Sequence, residues 1–274
     1  MFFSILQAVY KRDNPEFLSQ SLNSILTNTL QPVEIILVKD GNLTEELEET
    51  IRTWEEKLPL KVVGYEKNMG LAHALNYGMQ FINTELTARM DSDDICFPNR
   101  FEKEVDYFEK NPNAEIVGTG ISEFYFDKNK NEFKKIRLYP KIVDKKSKVL
   151  FKGTPIGHPT VMMKTSLLKE FGYSEKTNMC EDIDLWFRLI RAGHSINNLP
   201  EPLLNFRITN EMFKRRSISK AFSESRIYWI NLFEMFGFNL LLIYPVVRLM
   251  VRFLPYRLKR KLYFSEARNS LFTN

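Results

Sequence analysis

Only two of the 274 residues are cysteine, Cys96 and Cys180, and neither has a second cysteine near it. That excludes a zinc ribbon, a CxxC redox pair and a disulfide-stapled scaffold, and it suits a reducing compartment. No glycine precedes Gly41, so a glycine-rich phosphate loop after the first strand is excluded as well; Val9-Tyr10-Lys11-Arg12 stands there instead. No window holds the 18 or more uninterrupted apolar residues of a spanning helix. The nearest, Phe236 to Phe253, contains Asn239, Pro245, Arg248 and Arg252. The opening MFFSILQAVY has no basic leader and runs at once into Lys11, Arg12 and Asp13, so a buried strand is expected there rather than a cleaved signal.

With 44% hydrophobic and 27% charged residues, the chain can bury a sizeable core. The net charge of +5 hides two unlike parts. Residues 211–274 carry 12 basic against 4 acidic side chains, and residues 1–210 carry 27 against 30. A near-neutral body of 1–210 therefore precedes a basic, helical tail of 211–274.

Short apolar runs alternate with helical patterns through the body. Phe2 to Val9 predicts a strand, and Pro15 opens a helix with Phe17, Leu18, Leu22, Ile25 and Leu26 on one face. Val33 to Val38, ending at Asp40-Gly41, precedes a helix capped by Thr44. Val62-Val63 precedes Asn68, Gly70 and a helix over Leu71 to Phe81. Glu85 to Met90 runs into Asp91-Ser92-Asp93-Asp94, and Phe101, Val105 and Phe108 mark a helix that Asn111-Pro112 stops. Four such repeats predict an α/β fold with a mixed, mostly parallel sheet flanked by helices. Ligands of such sheets bind beyond the carboxyl ends of the strands, where Asp40, Asn68 and the acidic cluster fall. Further on, β-type segments at Ile116-Val117, Glu123 to Phe126 and Phe133 to Leu138 surround a hairpin tip at Asp127 to Asn131. A Lys-rich helix is expected near Val143 to Phe151, a strand at Val161 to Lys164, and a helix over Glu181 to Ala192 stopped by Gly193.

Three carboxylates within four positions, Asp91, Asp93 and Asp94, repel one another unless a cation lies between them. Oxygen ligands of this kind suit Mg2+ or Mn2+; a solvated acidic turn is the plainer account. Glu181 and Asp182 open an amphipathic helix, where acidic residues also serve the helix dipole. A carboxylate facing a metal-bound substrate is what general-base chemistry needs. Asp40-Gly41, Asn68 and His158 each suit an ordinary turn when taken singly.

The order AVY, LVKDG, NxGLAxALNxG, ARMDSDD, GHPTVM and EDIDLW resembles the family 2 glycosyltransferases of the GT-A, Rossmann-like fold, over roughly Phe2 to Arg207. Within them the chain looks most like the amylovoran-biosynthesis type that builds bacterial exopolysaccharide and capsule. The resemblance implies an inverting, metal-dependent transfer of a hexose from a nucleotide-diphosphate sugar, expected to be a UDP-sugar, to a saccharide or lipid-linked saccharide acceptor. It would place Ala8, Val9 and Tyr10 along the nucleotide and Asp40 on the nucleobase. Asn68 and Arg89 would stand near the ribose or diphosphate, and Ser92 and His158 beside the donor. Asp91 and Asp93 match the DxD that holds Mn2+ or Mg2+, with Asp93 the more direct ligand and Asp94 a further candidate. Asp182 matches the catalytic base, while Glu181 and Trp186 would shape the acceptor pocket. Lys39 and Leu43 depart from the family, which often has Asp and Ser there, and they leave the nucleotide contacts open.

The tail combines Trp229, Phe233, Val246, Val247 and Phe253 with Arg248, Arg252, Arg257 and Lys259 to Lys261. Such a face suits an anionic membrane surface, here the inner face of the cytoplasmic membrane, although the same helices could simply cover the catalytic body. It is too apolar for a nucleic-acid arm. Two rival functions fit less well. A sugar-nucleotide nucleotidyltransferase would need the missing glycine loop, and a non-catalytic assembly protein would need a broken DSDD or ED motif.

Overall fold

The computed structural model describes residues 1–126, 132–177, 179–209, 218–254 and 258. Four parallel strands, β1 (Phe3–Val9), β2 (Glu34–Asp40), β3 (Leu60–Tyr65) and β4 (Leu86–Arg89), lie in the order β3-β2-β1-β4. The helices between them are α1 (Pro15–Leu26), α2 (Glu45–Glu55) and α3 (Leu71–Met79). Their starts follow from local chemistry. Asn14 accepts from the main-chain N–H groups of Glu16 and Phe17 ahead of Pro15, and Thr44 accepts from Leu47 N, each satisfying an orphan donor of the first turn.

After β4 come the short β5 (Ile95–Cys96), α4 (Arg100–Lys110), β6 (Ile116–Phe126), β7 (Glu132–Arg137), β8 (Ile142–Val143), β9 (Met162–Lys164), α5 (Thr165–Phe171), α6 (Glu181–Ala192) and β10 (Ile196–Arg207). β9 pairs antiparallel with both β4 and β6, and β10 runs parallel to β6 and antiparallel to β5. The sheet is thus mixed beyond its parallel half, as expected. Ile116 to Phe126 forms one strand rather than two, its register to β10 shifting near Pro202. The helix expected near Val143 to Phe151 is instead β8 and a single 3-10 turn, Lys148–Phe151. The expected hairpin tip at 127–131 and the 210/211 boundary lie outside the described residues.

Period-two alternation gives the sheet two apolar faces. Phe3, Ile5 and Val9 of β1 join Leu18 and Leu22 of α1, Leu47 of α2 and Phe101 of α4 in one core. Leu6, Ile36 and Val38 join Leu75 of α3 and Leu185, Trp186 and Leu189 of α6 in the other. Two further helices, α7 (Ile218–Phe236) and α8 (Ile243–Phe253), follow, and Tyr228, Leu232 and Leu242 extend this second core. The tail therefore packs one of its faces against the α/β body.

Candidate active site

Because β2, β1 and β4 are adjacent and parallel, their carboxyl ends open on one edge of the sheet. Asp40 ends β2, nearly buried at 5% exposure. Its oxygens accept from Tyr65 Oη (3.0 Å), Asn68 Nδ2 (2.8 Å), Met69 N (2.7 Å) and Gly70 N (3.0 Å). This carboxylate, expected on a nucleobase, thus ties the β3–α3 turn to β2. Gly41 makes the close approach possible, since at φ +85 an added Cβ would lie 2.6 Å from Asn68 N. Burial and the neighbouring Asp40 push the Tyr65 phenol up. Val9 is 1% exposed and belongs to the core, so it can offer a nucleotide only its main chain; Ala8 and Tyr10 are half-buried.

The end of β4 is held from three directions. Gln7 and Ser21 both donate to Asp91 O at 3.0 Å. The fully buried Arg100 of α4 donates to Arg89 O (2.9 Å) and pairs with Glu104. Arg100 and Glu104 share the buried face of α4 with Phe101, Val105 and Phe108, where a lone charge would cost several kcal/mol. Burial pushes Glu104 up to about 7 against the pull of Arg100.

Asp91, Asp93 and Asp94 bring ligand oxygens within 4.8 Å of one another, the one such group among the described residues. Burial, then Asp91 and Asp13, raises Asp93, and burial, then Asp93 and Asp91, raises Asp94 well above the usual carboxylate range. Asp94 Oδ2 is buried with no hydrogen-bond partner. Clustered hard oxygens that resist ionising together, one of them unpartnered, fit a divalent cation. Arg207 at the end of β10 braces the cluster, its main-chain N–H on Asp94 Oδ1 (2.9 Å) and its Nε on Asp93 O (2.8 Å). Its guanidinium stacks on Phe17 at 4.0 Å. Ser92 donates to Asp13 Oδ2 (2.9 Å), which also accepts from Tyr10 N, so Ser92 joins the first loop to the cluster.

Arg89 is 4% exposed and bonds Asp91, while its Nε and Nη1 have no partner. Burial acts most strongly and would lower it, but Asp91, Tyr173 and Asp94 together outweigh burial and it stays charged. A buried guanidinium with spare donors suits an anion such as diphosphate. Burial, then Arg89, drives His158 well below its ordinary value, so it is neutral near pH 7. Its Nε2 lies 3.0 Å from Tyr173 Oη, and its ring meets Trp186 at 6.0 Å. Trp186 itself is 1% exposed; it backs His158 from the core and does not present its own face to an acceptor.

Asp182 stands in the first turn of α6, half-buried, next to the buried Glu181. Burial first, then Glu181, pushes it up to about 6. The loop before it is anchored where it leaves α5. Asn76 of α3 exchanges two 2.8 Å bonds with the main chain of Tyr173, and Arg188 of α6 donates to Phe171 O and Gly172 O. Tyr173, raised mainly by burial, feels Arg89 and Asp91 from the metal-type cluster and Asp182 and Glu181 from α6. The structure thus brings the two acidic groups within electrostatic reach of one buried phenol.

Sequence reasoning missed Tyr173, Asp13 and Arg207. Tyr173 and Arg207 act across the fold, and Asp13 joins its local bond with Tyr10 to a distant one with Ser92. Arg100 and Glu104 could have been found, because their spacing puts them on the helix face of Phe101 and Phe108. A groove of about 620 Å³ between α1, Trp54 and Pro98 contains none of the acidic cluster.

Comparison with known proteins supplies the rest. The sequence profile described as glycosyl transferase family 2 matches residues 4–172. The amylovoran biosynthesis glycosyltransferase AmsE of Erwinia amylovora is 34% identical, over 95% of this chain and 97% of its own. An Escherichia coli UDP-Gal:alpha-D-GlcNAc-diphosphoundecaprenol beta-1,3-galactosyltransferase is 35% identical over 92% of each chain. Among solved structures, S. aureus TarS in complex with UDP-GlcNAc superposes with a TM-score of 0.63 at 15% identity, covering 99% of this chain and 89% of that one. A Pyrobaculum calidifontis mannosyltransferase with GDP-Man and Mn2+ gives 0.62 at 15% identity, covering 99% and 83%. These two share the fold.

Proposed function

We infer the reaction from one premise: this chain belongs to glycosyl transferase family 2. It is a GT-A glycosyltransferase of polysaccharide biosynthesis, and the reading that goes further is an inverting transfer of a hexose from a UDP-sugar to a hydroxyl of a lipid-linked saccharide. The observation that carries it is Tyr173, which feels Asp91 and Arg89 from one side of the site and Asp182 from the other. This supports a donor site and a base that meet at one buried phenol. The named substrates of the Escherichia coli relative, a UDP-sugar and a diphosphoundecaprenol-linked acceptor, support both choices.

Asp93 and Asp91 would hold Mn2+ or Mg2+, with Asp94 behind them. When bound, the cation supplies Lewis-acid stabilisation of charge growing on the departing diphosphate. Arg89 offers its spare N–H groups to the same phosphates. Asp40 and Asn68 form the floor of the base end, and a nucleobase there shares oxygens that the turn already uses. Asp182 takes the proton from the acceptor hydroxyl as its oxygen bonds to the anomeric carbon. The carbon–phosphate-oxygen bond breaks on the opposite face, its electron pair leaving with the diphosphate. One displacement of this kind inverts the anomeric centre. UDP-galactose, UDP-glucose and UDP-GlcNAc tested singly should include one that raises Tm more with Mn2+ than in EDTA; binding at 100 times Kd stabilises by about 2.7 kcal/mol. Silence from all three, and from GDP-mannose, would sink the donor assignment.

The same reading places the enzyme on a membrane. No helix of the described residues is long and apolar enough to cross one. The outer face of the tail is nevertheless apolar. Phe222, Trp229, Ile230 and Phe233 repeat at helical spacing along α7 and are 37–53% exposed, and Phe238 and Leu240 beyond it reach 88% and 89%. Exposed Arg226 falls in the same stripe. The occupant proposed is anionic lipid, because residues 211–274 carry 12 basic against 4 acidic side chains. The full chain should float with phosphatidylglycerol vesicles and much less with phosphatidylcholine, and F238D/L240D should cut flotation about tenfold or more. Equal flotation with both lipids, or a stable dimer burying this face, would refute the assignment.

A further inference from the structure

The tail helices carry a buried ion pair that the reaction above leaves unused. Glu224 on α7 is 4% exposed and pairs with Arg248 Nη2 of α8 at 2.8 Å. The same guanidinium stands 5.0 Å from the ring centre of Tyr228, one turn along α7. Tyr228 is 1% exposed and meets Phe187 of α6 edge-on at 5.2 Å. Since α6 holds Asp182 in its first turn, a buried carboxylate of the tail belongs to the same packed unit as the base. Like charges without water between them interact strongly, and a cation fixed on one of them masks it from the other.

We infer that Glu224 and Arg248 are positioning residues for Asp182: α8 supplies the cation that masks Glu224, and the pair sets the electrostatic field in which the base works. The inference rests on the base assignment above and gives a role to helices beyond the family-matched residues 4–172. The groups that face Asp182 are Glu181 on its own helix, Cys180 just before it, Tyr173 in the preceding loop, and Lys220, Glu224 and Tyr228 on α7. Lys220 favours its ionised form, whereas Glu181 and Glu224 oppose it. Burial would lower Arg248, but Glu224 and Tyr228 together raise it, as expected of a cation committed to this cluster.

The test needs no donor. The full chain is labelled with 13C at the aspartate side-chain carboxyls, the Asp182 signal is assigned by its loss in D182N, and its titration is followed. The wild-type midpoint should lie near 6. The near-isosteric E224Q should lower it by about 0.3–0.5 unit, Glu224 acting less strongly on Asp182 than burial or Glu181. R248M, which takes the Arg248 cation away from Glu224, should raise it by a similar amount, and adding E224Q should bring it back down. E224Q decides the matter even where R248M folds poorly, since a cooperative melt with a midpoint within about 0.2 unit of wild type would overturn the inference. A wild-type Asp182 titrating in the ordinary carboxylate range would instead fault the base assignment, so the two failures are separable. The acidic limb of the transfer rate should move with the midpoint in each variant.

Discussion

Asp182→Asn is expected to lower turnover by about two to four orders of magnitude, the span a positioned general base supplies, while donor affinity stays within about twofold. Asp182 is the carboxylate proposed to take the proton of the acceptor hydroxyl, and an amide cannot accept one. The pH dependence follows from the same burial. Asp182 titrates at about 6 against an ordinary 3.8, so the wild-type rate should fall below pH 6 as the base becomes protonated and level off above it. Stability should run the other way. With the folded value above the unfolded one, the folded chain binds more protons between the two, and the contribution present at low pH is lost as pH rises through about 6. Asp182→Asn should therefore melt higher than wild type at pH 8, by on the order of 1–2 kcal/mol. An undiminished transfer rate in this variant would remove Asp182 from the mechanism.

The second large effect is expected at the acidic cluster. Asp93→Ala should weaken UDP-sugar binding in Mn2+ about 100-fold, equivalent to about 2.7 kcal/mol, bringing it to the affinity wild type shows in EDTA. Asp93 is raised by burial and by its acidic neighbours, so an ion beside it relieves that repulsion, which otherwise destabilises the cluster. Calorimetric titration of donor with and without Mn2+ measures both quantities. Should wild-type affinity be the same in EDTA, the carboxylates would be an acidic turn that Arg207 stabilises, and the metal assignment would fall.

How much of this was legible in the sequence depends on range. The first 110 residues read well because each strand is followed at once by its own helix, with Asn14-Pro15, Thr44 and the Asp40-Gly41 turn marking boundaries locally. The second half read less well. β10 passed unread since Pro200, Glu201 and Pro202 interrupt its apolar pattern, and the register to β6 slips at the same place. The short helix α5 went unread as well. At the site, the acidic cluster and Asp182 announce themselves by composition. The residues that hold them do not. Arg207 reaches Asp94 over 113 positions, and Asn76 fixes Tyr173 over 97, distances at which no spacing rule operates. Asp40 shows the opposite case, a residue singled out by its place after β2 whose four donors could not be seen without the fold.

The Arg207 brace also carries a consequence for the order of assembly. Every residue of the acidic cluster leaves the ribosome long before the strand that completes it. At about 5–20 residues per second, the 113 positions between Asp94 and Arg207 take roughly ten seconds to translate. During that interval a nascent chain can pair β1 to β4, but Asp94 has no main-chain donor and little reason to leave water. The parallel half of the sheet is thus a template whose acidic cluster lacks its Arg207 brace until β10 arrives beside β6.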